Sequence, residues 1–440
     1  MGKKISIVLG FPDTNAGGSE LGIALLTLLK RHFPDYQLNY ISTLGDEQKI
    51  AQAYPYVREK HPDVQVLPHP LKRPFAPSTG RMMKGLLWVP LLMRAGWQLV
   101  AATPHHKTLA ELSDSALIVA RGTHIFDVKE NYLAVTLGFF WLMYPLLYAA
   151  VHGCPFVIYA QAIGPFYNPV IQRLMRFILQ KATLVLVRDA HTQRYLEENN
   201  YNLGEKLRVV PDTVFSTSPP TAAAIQATGA HYGLPAKDYV VVVIRDLIEK
   251  KISIEKYFPE FEKICTVMLD NNIIQQCVII TQCHHFPSFQ ESESDSAVSQ
   301  ALYDHLRTHL PERLRSRVRL LDEPLPPDRL KELYGGAKYV ISMRLHAAIF
   351  ALIAGTPVVA LSYSGLKTEG VMSSLQNGHC VVKMADFSAA KVLAMIQEME
   401  GRYAAECARL QENLRQLRQR AIECPRAFQH LLNSDGSAHV

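Results

Sequence analysis

Short runs of β-branched and aliphatic residues recur along the chain, separated by longer segments with helical periodicity. Each run has the length of a buried strand and is bounded by polar or turn-forming residues. This alternation predicts an α/β fold with parallel sheets, because the helices that connect parallel strands cover both faces of the sheet. The predicted strands are 4–10, 36–42, 63–69, 115–121, 155–161, 183–189, 207–212, 239–246, 275–282, 317–323, 338–344, 357–363 and 378–384.

The predicted strands fall into two groups. Residues 216–238 separate them and are rich in Pro, Ala, Ser, Thr and Gly, which is typical of a linker. A chain of 440 residues is also too long for one ordinary core. We therefore predict two Rossmann-like domains, 1–215 and 239–386, that face each other across a cleft. A C-terminal helical segment follows at 387–440, with one or two long amphipathic helices.

Composition narrows the class of protein. The chain is 48% hydrophobic and 20% charged, which is typical of a folded soluble protein. Seven cysteines without a CxxC pair fit a reducing compartment, and the N-terminal MGKKISIVLGF lacks the apolar core of a signal peptide. The net charge of +6 favours anionic small molecules or an anionic membrane surface, not nucleic acid. These features predict a cytoplasmic location.

Two segments require a membrane test. Residues 132–151 are apolar and about long enough to span a bilayer, but Gly138 and Pro145 interrupt them, so a buried core helix is predicted. Residues 72–97 mix basic, aromatic and aliphatic side chains, which is the composition of a segment that lies on a membrane surface. An ordinary loop followed by a core helix is the alternative for 72–97.

Cationic side chains follow two predicted strands of the second domain. Arg245 lies at the end of the strand 239–246, while Arg344 and His346 come just past the strand residues KYVIS (338–342), at the start of an apolar helix. Ligands of open parallel sheets bind at this carboxyl edge, and a helix N-terminus attracts anions. Arginine adds bidentate recognition of carboxylate or phosphate, and histidine can transfer a proton near neutral pH. The pattern predicts an anion site with acid–base capacity; a structural histidine is the alternative for His346.

Other polar residues follow neighbouring strands. Lys367 comes after the strand 357–363, where it is either a cleft residue or an ordinary loop lysine. Candidate cleft residues of the first domain are Asn15, Gly17, Ser19, Arg121, His124 and Gln161. The adjacent His284 and His285 point different ways and have no carboxylate–histidine spacing around them, so no metal is predicted.

Several segments resemble the polysaccharide pyruvyl transferase family, over about residues 5 to 385. The most specific is ISMRLHAAIFALIAGTPVVALSYSGLKTEG at 341–370, with Ser-x-Arg-Leu-His, Gly-x-Pro, Ser-Tyr and Lys in the family's order. QAIGPF, LVRDAHTQRYL and VVPDTVF resemble three further family blocks. Two blocks of the first domain depart from the pattern. Gly18 stands where the family usually has aspartate, and only Gly122 remains of a glycine-rich turn.

The resemblance implies a GT-B-like enzyme that moves a pyruvyl group from phosphoenolpyruvate to a sugar of a polysaccharide or its precursor, forming a ketal. The donor would bind the second domain through Arg344, Leu345, His346, Arg245 and Lys367, with Arg188 in reserve. His346 and Arg344 would be catalytic. The acceptor would bind the first-domain candidates. No cofactor is implied, and the sequence leaves open whether the acceptor is lipid-linked and whether the enzyme lies at the inner face of a membrane.

Two other functions remain open on the sequence alone. A GT-B glycosyltransferase would bind a nucleotide-sugar donor on the second domain, where such enzymes carry carboxylates for the ribose and the sugar; only Glu369 stands near that place. The altered first-domain loops also keep open a non-catalytic relative that binds sugars or anions.

Overall fold

The computed structural model of the chain describes residues 2–72, 81–101, 103–122, 126–128, 133–247, 253–284, 294–363 and 367–433. They form two compact units, each built around its own parallel sheet. Unit 1 comprises Met1–Asp13, Gly18–Thr213 and Arg420–Val440, and unit 2 comprises Thr14–Gly17 and Val214–Gln419. The prediction of two Rossmann-like α/β domains with a long C-terminal helix is confirmed.

Unit 1 contains a seven-stranded parallel sheet among its described residues, in the order β3-β2-β1-β4-β6-β8-β9. A separate ladder pairs β5 with β7. The strands are β1 (Gly2–Gly10), β2 (Gln37–Ser42), β3 (Gln65–Leu67), β4 (Ser115–Ala120), β5 (Phe126–Val128), β6 (Phe156–Gln161), β7 (Ile163–Phe166), β8 (Leu184–Val187) and β9 (Leu207–Val209).

Helices cover this sheet because their apolar faces match its apolar strands. In the seventh helix, Asn168 caps the N-terminus by accepting the Val170 N–H at 2.9 Å, and Ile171, Met175 and Ile178 are buried. The helices up to residue 213 are α1 (Ala16–His32), α2 (Glu47–Ala53), α3 (Pro55–Lys60), α4 (Arg81–Val100), α5 (Lys107–Ser113), α6 (Leu133–His152), α7 (Pro169–Lys181) and α8 (Ala190–Glu198).

Helix α6 holds the apolar segment predicted to be a core helix. Among the described residues, its stretch Val135–His152 is the one that is long and apolar enough to cross a membrane, with a mean hydropathy of 1.4. However, 56% of that stretch is buried within the protein. Met143, Tyr144 and Leu146 belong to the hydrophobic core of unit 1, as a core helix requires.

The sheet of unit 2 has the order β12-β11-β10-β13-β14-β15 within the described residues, all parallel. The order reverses direction between β10 and β13, which makes this point the topological switch where ligands of such sheets bind. The strands are β10 (Tyr239–Val243), β11 (Gln276–Ile280), β12 (Val318–Leu321), β13 (Tyr339–Ser342), β14 (Val358–Ser362) and β15 (Val381–Lys383).

The segment 216–238, predicted as a linker, contains a helix. Thr221 caps it by accepting the Ala224 N–H at 3.2 Å, and it packs in unit 2. Its alanine-rich sequence has no marked apolar face, so periodicity does not reveal it. The remaining helices are α9 (Ala222–Tyr232), α10 (Phe258–Asp270), α11 (Ser296–His309), α12 (Glu312–Arg315), α13 (Pro327–Gly336), α14 (Leu345–Ile353), α15 (Lys367–Ser374), α16 (Ala389–Glu400), α17 (Tyr403–Glu423) and α18 (Gln429–Asn433).

Two short stretches differ from the predicted domain boundaries. Near the N-terminus, Asn15 forms an antiparallel bridge with Cys283, and Thr14–Gly17 therefore belongs to unit 2. The end of the chain belongs to unit 1. There the Ile422 carbonyl oxygen lies 2.7 Å from Nε2 of His32, and the Phe428 ring packs edge-on against Tyr159. The two predicted domains are thus not continuous in sequence.

Candidate functional site

Three of the predicted donor residues, Arg245, Arg344 and His346, lie at the carboxyl edge of the unit 2 sheet, around the switch point. Strand β10 leads into Arg245, and the neighbouring strand β13 leads into Arg344 and His346. Both arginines are largely buried, each with 7% of its surface exposed. Because they flank the switch point of one sheet, they occupy the position where the strand-end rule predicts a ligand.

Arg245 is held over this edge by Tyr363, which directly follows β14, a strand that does not pair with β10. Its Nη1 donates to the Tyr363 hydroxyl, and its guanidinium carbon lies 4.8 Å from the centre of the Tyr363 ring. Its Nε donates to the Asp246 carbonyl oxygen at 3.2 Å. Since β13 lies between β10 and β14, the contact between Arg245 and Tyr363 spans the carboxyl end of β13.

Arg344 forms a two-pronged ion pair with a carboxylate that the sequence did not reveal. Its Nε donates to Oδ2 of Asp295 at 2.9 Å, and its Nη2 donates to Oδ1 at 2.6 Å. Asp295 is fully buried just before α11, 49 residues upstream of its partner. The pair fixes the plane of the guanidinium. No spacing in the sequence connects the two residues, so only the folded structure shows the partner.

The serine of the Ser-x-Arg-Leu-His block shapes the turn that starts α14. Ser342 Oγ accepts the backbone N–H of Arg344 at 3.0 Å and donates to the Arg344 carbonyl oxygen at 2.8 Å. The side chain of the N-cap residue of α14, Arg344, makes no capping hydrogen bond. Leu345 and His346 occupy that turn and are both partly exposed. The positive end of a helix dipole therefore meets the same edge as the two arginines.

Gly17, predicted on the acceptor side, contacts the donor block within unit 2. Asn15 caps α1 by accepting the Gly17 N–H at 3.0 Å. A Cβ placed on Gly17 would lie 2.4 Å from Cβ of His346 and 2.7 Å from its Nδ1. Only glycine fits against the imidazole here. Lys367 begins α15, and its side chain lies outside the described residues.

Arg121 has a buried structural environment in unit 1. It is 1% exposed, and its Nη1 donates to the Gly18 carbonyl oxygen at 2.9 Å and to the Tyr40 hydroxyl at 2.5 Å. These two hydrogen bonds connect the carboxyl end of β4 to α1 and β2, and we refer to Arg121, Gly18 and Tyr40 as the Arg121 cluster. Ser19 is also fully buried beside it. His124, which the sequence grouped with these residues, lies outside the described part of the chain.

Asp13 is a titratable group near the Arg121 cluster that the sequence analysis did not single out. Burial raises its pKa to about 6 from 3.8, against the lowering effects of the Val57 and Tyr56 N–H groups, the Ser19 side chain and the charge of Arg121. Its Oδ2 accepts the two N–H groups at 3.1 and 2.8 Å. Asp13 thus satisfies the open N-terminus of α3.

Arg188, the reserve donor residue, lies in unit 1 at the end of β8. Its Nη1 donates to Oδ2 of Asp212 at 2.9 Å, and the side chains are 1% and 0% exposed. The two residues come from the LVRDAHTQRYL and VVPDTVF blocks, so this ion pair joins two family-like segments inside the unit. Gln161 ends β6, is 1% exposed, and its carbonyl oxygen accepts the Arg188 N–H at 3.1 Å.

Two clusters in the described residues have the side-chain types and spacing of metal ligands, and both lie outside the strand-end set. One consists of Glu262, His305 and His309, and the other of His379, Cys380 and Glu406. In the second, Arg409 holds both carboxylate oxygens of Glu406, and burial raises the pKa of Cys380 to about 12, which disfavours a thiolate ligand. Neither cluster adds a ligand to the switch-point edge.

Solved structures share the two-unit fold. HepE from Anabaena, solved with UDP-glucose, is 14% identical with a TM-score of 0.59, covering 98% of this chain and 99% of that one. The UDP-GlcNAc 2-epimerase from Neisseria meningitidis, bound to UDP-GlcNAc, is 10% identical with a TM-score of 0.59, covering 98% and 100%. A glycosyltransferase from Rickettsia africae is 11% identical with a TM-score of 0.56, covering 99% and 100%. The chain therefore has the GT-B type of fold, which such identities establish without specifying a reaction.

The sequence comparison is more specific. The family model described as polysaccharide pyruvyl transferase matches residues 15–365. This match covers most of the chain, and the protein belongs to the polysaccharide pyruvyl transferase family. A curated relative, the amylovoran biosynthesis protein AmsJ of Erwinia amylovora, is 21% identical over 289 residues. The match spans 64% of this chain and 64% of AmsJ, so about a third of AmsJ lies outside it.

Proposed function

We propose that this protein transfers a pyruvyl group from phosphoenolpyruvate to a sugar of a polysaccharide or its precursor and forms a cyclic pyruvate ketal. The observation that carries the proposal is the arrangement at the switch point of unit 2. There Arg245, Arg344 and His346 follow adjacent strands, and the last two lie at the N-terminus of helix α14. Membership of the family supports the reaction class.

The cationic groups at this edge suit the proposed donor. Phosphoenolpyruvate carries a carboxylate and a phosphate on one small planar carbon frame, so it requires several fixed cationic groups at short range. Guanidinium groups and a helix N-terminus supply positive charge in fixed positions, so no free energy is lost in ordering them during the reaction. The contacts of Arg245 with Tyr363 and of Arg344 with Asp295 hold both guanidinium groups in fixed orientations.

The reaction balances without an oxidant or reductant. His346 donates a proton to the methylene carbon of phosphoenolpyruvate, which becomes the methyl group, and C2 acquires oxocarbenium character. One sugar hydroxyl adds to C2 and loses its proton. The C2–O bond to phosphate then breaks as a second hydroxyl forms the other C–O bond. One released proton restores His346 and the other leaves with inorganic phosphate. The arginines stabilise the departing phosphate.

Asp295 acts through Arg344 in this scheme. A buried arginine without its carboxylate would sample several rotamers, whereas the two-pronged pair leaves one plane for the guanidinium. We therefore assign Asp295 as a positioning residue and not as a catalytic one. Gly17 has a comparable role because its missing side chain leaves room for the His346 ring.

A nucleotide-sugar donor is the second candidate, and one observation favours it. Ser362 donates to Oε2 of Glu369 at 3.1 Å, while Oε1 of Glu369 is buried and has no hydrogen-bond partner among the described residues. A ribose hydroxyl could donate to that oxygen. The UDP complexes of HepE share the fold and do not establish the ligand of this chain.

The two candidates give different products. The purified protein is incubated in deuterium oxide with phosphoenolpyruvate and a panel of sugar acceptors, and phosphate release and product NMR are recorded. The proposed reaction yields a ketal whose methyl group carries one deuterium, together with one phosphate per ketal. A parallel incubation replaces phosphoenolpyruvate with UDP-sugars on the same acceptor panel. Consumption of a UDP-sugar, with no turnover of phosphoenolpyruvate, contradicts the proposed reaction.

Variants connect the reaction to the site. His346→Ala and Arg245→Met should each lower turnover by about 10²–10³, the size seen when one oxyanion donor is lost. Arg415→Ala is the matched control, because Arg415 is an exposed arginine of the same unit on α17. Its turnover should equal that of the unaltered protein.

A further inference from the structure

Helix α4 of unit 1 has a buried glutamine on its inner face and several large apolar residues on its outer face. Gln98 faces inward with 3% of its surface exposed, and its Oε1 accepts the Tyr144 hydroxyl at 3.2 Å. The neighbouring Trp97 is 52% exposed, and Met93 is 72% exposed. A helix that faces water places glutamine outside and tryptophan inside. The outer face of α4 is therefore suited to contact with an apolar partner surface and not with water.

The exposed apolar residues form one continuous stripe. Val89, Met93, Trp97 and Val100 are spaced by four, four and three residues, which places them on one side of the helix. Between 88 and 100, every exposed position other than Arg94 is apolar or glycine. The stripe extends for roughly 16 Å at 1.5 Å per residue. Such a contiguous patch on a folded protein marks an interaction site.

The opposite face of α4 is fixed in the core, so the stripe cannot turn inward without unpacking the unit. Trp88, Leu91 and Ala95 are buried in the hydrophobic core of unit 1. Tyr144 of α6 also donates to the Ala95 carbonyl oxygen at 3.0 Å. Trp97 is stacked on His105 at 4.3 Å between ring centres, which holds its indole at the surface.

The charge of the sequence around α4 indicates which kind of partner surface fits the apolar stripe. No Asp or Glu occurs between Asp63 and Glu111, whereas this segment contains six basic residues: Lys72, Arg73, Arg81, Lys84, Arg94 and Lys107. A positive segment around an apolar stripe complements anionic lipid headgroups above acyl chains. A second copy of the same face would bring like charges together. Tryptophan is also the side chain favoured at the boundary between headgroups and acyl chains.

We propose that α4 is a docking helix for an anionic lipid bilayer, with Val89, Met93, Trp97 and Val100 inserted at the headgroup–acyl boundary. The proposal does not rest on pyruvyl transfer, since it concerns a surface of unit 1 and none of the strand-end residues of unit 2. It agrees with the membrane-surface composition of 72–97 and extends the contact to Val100.

Vesicle binding tests the proposal with the full chain. Sedimentation is compared for vesicles of phosphatidylglycerol with phosphatidylcholine and for pure phosphatidylcholine. We expect binding to the anionic vesicles, weakening at high salt, and at least a tenfold lower partition coefficient for Met93→Ser/Trp97→Ser. The matched control is Tyr167→Ser/Val170→Ser, which removes two similarly exposed side chains at the start of α7 and should bind within twofold of the unaltered chain.

Tryptophan fluorescence supplies a readout that does not depend on the double variant. Trp88 and Trp141 are buried, so Trp97 is the exposed reporter of the three. Brominated anionic lipid should quench its emission, and Trp97→Phe should abolish that quenching. Arg94→Glu should weaken binding several-fold. The proposal is overturned if the unaltered chain binds no vesicle, binds neutral vesicles equally well, or retains full binding in Met93→Ser/Trp97→Ser. A dimer that the same double variant dissociates, without vesicle binding, also overturns it.

Discussion

Gly17 and His346 meet in unit 2 with no room for a side chain between them. The Cβ that any other residue would carry at position 17 falls 2.4 Å from Cβ of His346, closer than real Cβ contacts allow. The first loop of the chain therefore sets the space in which the imidazole of the Arg-Leu-His block lies. This contact gives the glycine of the N-terminal segment a physical role that is independent of any ligand.

Gly17→Ala should displace the His346 ring and impair catalysis more than folding. Overpacking of this kind costs about 1–3 kcal/mol of stability, while a displaced proton donor should lower kcat for pyruvyl transfer at least tenfold. Gly138→Ala is the control, because nothing lies within 4 Å of a Cβ at that helical position. It should leave turnover unchanged. Equal activity of the two variants would contradict the role assigned to Gly17.

Asp295→Asn should damage the site through Arg344. The amide retains the shape of the carboxylate but not its charge, so the buried guanidinium loses its counterion. We expect kcat/KM for phosphoenolpyruvate to fall by about 10–100-fold and the protein to lose a few kcal/mol of stability. Asp304→Asn, on an exposed position of the same helix α11, controls for the loss of one carboxylate. An unchanged KM and kcat in Asp295→Asn would refute the positioning role.

Asp13 should make unit 1 less stable as pH rises from about 4 to about 6. Its pKa is raised by burial from 3.8 to about 6, so across this range the unfolded chain has released a proton that the native state retains. The native state therefore loses about 2 kcal/mol of stability between pH 4 and pH 6, and about 3 kcal/mol over the whole range from well below pH 3.8 to well above pH 6.

Asp13→Asn removes that dependence and can still accept the N–H groups of Tyr56 and Val57. The difference in unfolding free energy between variant and unaltered protein should grow in favour of the variant between pH 4 and pH 6. Denaturant titrations at several pH values measure it. Parallel pH profiles for the two proteins would show that Asp13 is not the responsible group.

Arg188 and Asp212 should behave as a structural ion pair. Asp212→Ala leaves a buried guanidinium without its carboxylate and should cost about 3–5 kcal/mol. Arg188→Met/Asp212→Leu removes both charges and should recover most of that loss. The affinity of the double variant for phosphoenolpyruvate should match that of the unaltered protein. A double variant that folds but no longer binds the donor would instead support the reserve role of Arg188.

Most of the sheet architecture is predictable from the sequence because buried parallel strands are short, apolar and β-branched. Every predicted strand overlaps an observed strand. The missed pair, β5 and β7, lacks such runs: β5 has three residues, and β7 is Ile163–Phe166 with a glycine and a proline. Helix α9 was not predicted, because an alanine-rich helix has no periodic pattern of large apolar residues.

The sequence predicts which residues of the candidate site lie at strand ends, but not which residues they contact. The rule that ligands bind at carboxyl ends selects Arg245, Arg344 and His346, and the structure places all three at the switch point of one sheet. The same rule selects Arg121 and Arg188, which contact Tyr40 and Asp212 inside unit 1. The predicted end of a strand gives the position of a residue in the sheet but not the residues that its side chain contacts. Its partner comes from another part of the chain, and sequence spacing does not encode that pairing.

The most direct test of the account is calorimetric titration of the protein with phosphoenolpyruvate, in parallel with UDP-glucose and UDP-GlcNAc. We predict saturable binding of phosphoenolpyruvate that Arg245→Met and Arg344→Met each abolish and Arg415→Ala preserves, with no binding of either nucleotide sugar. Binding of a nucleotide sugar that Glu369→Gln weakens, with no heat from phosphoenolpyruvate, would contradict the pyruvyl donor and assign the site to glycosyl transfer.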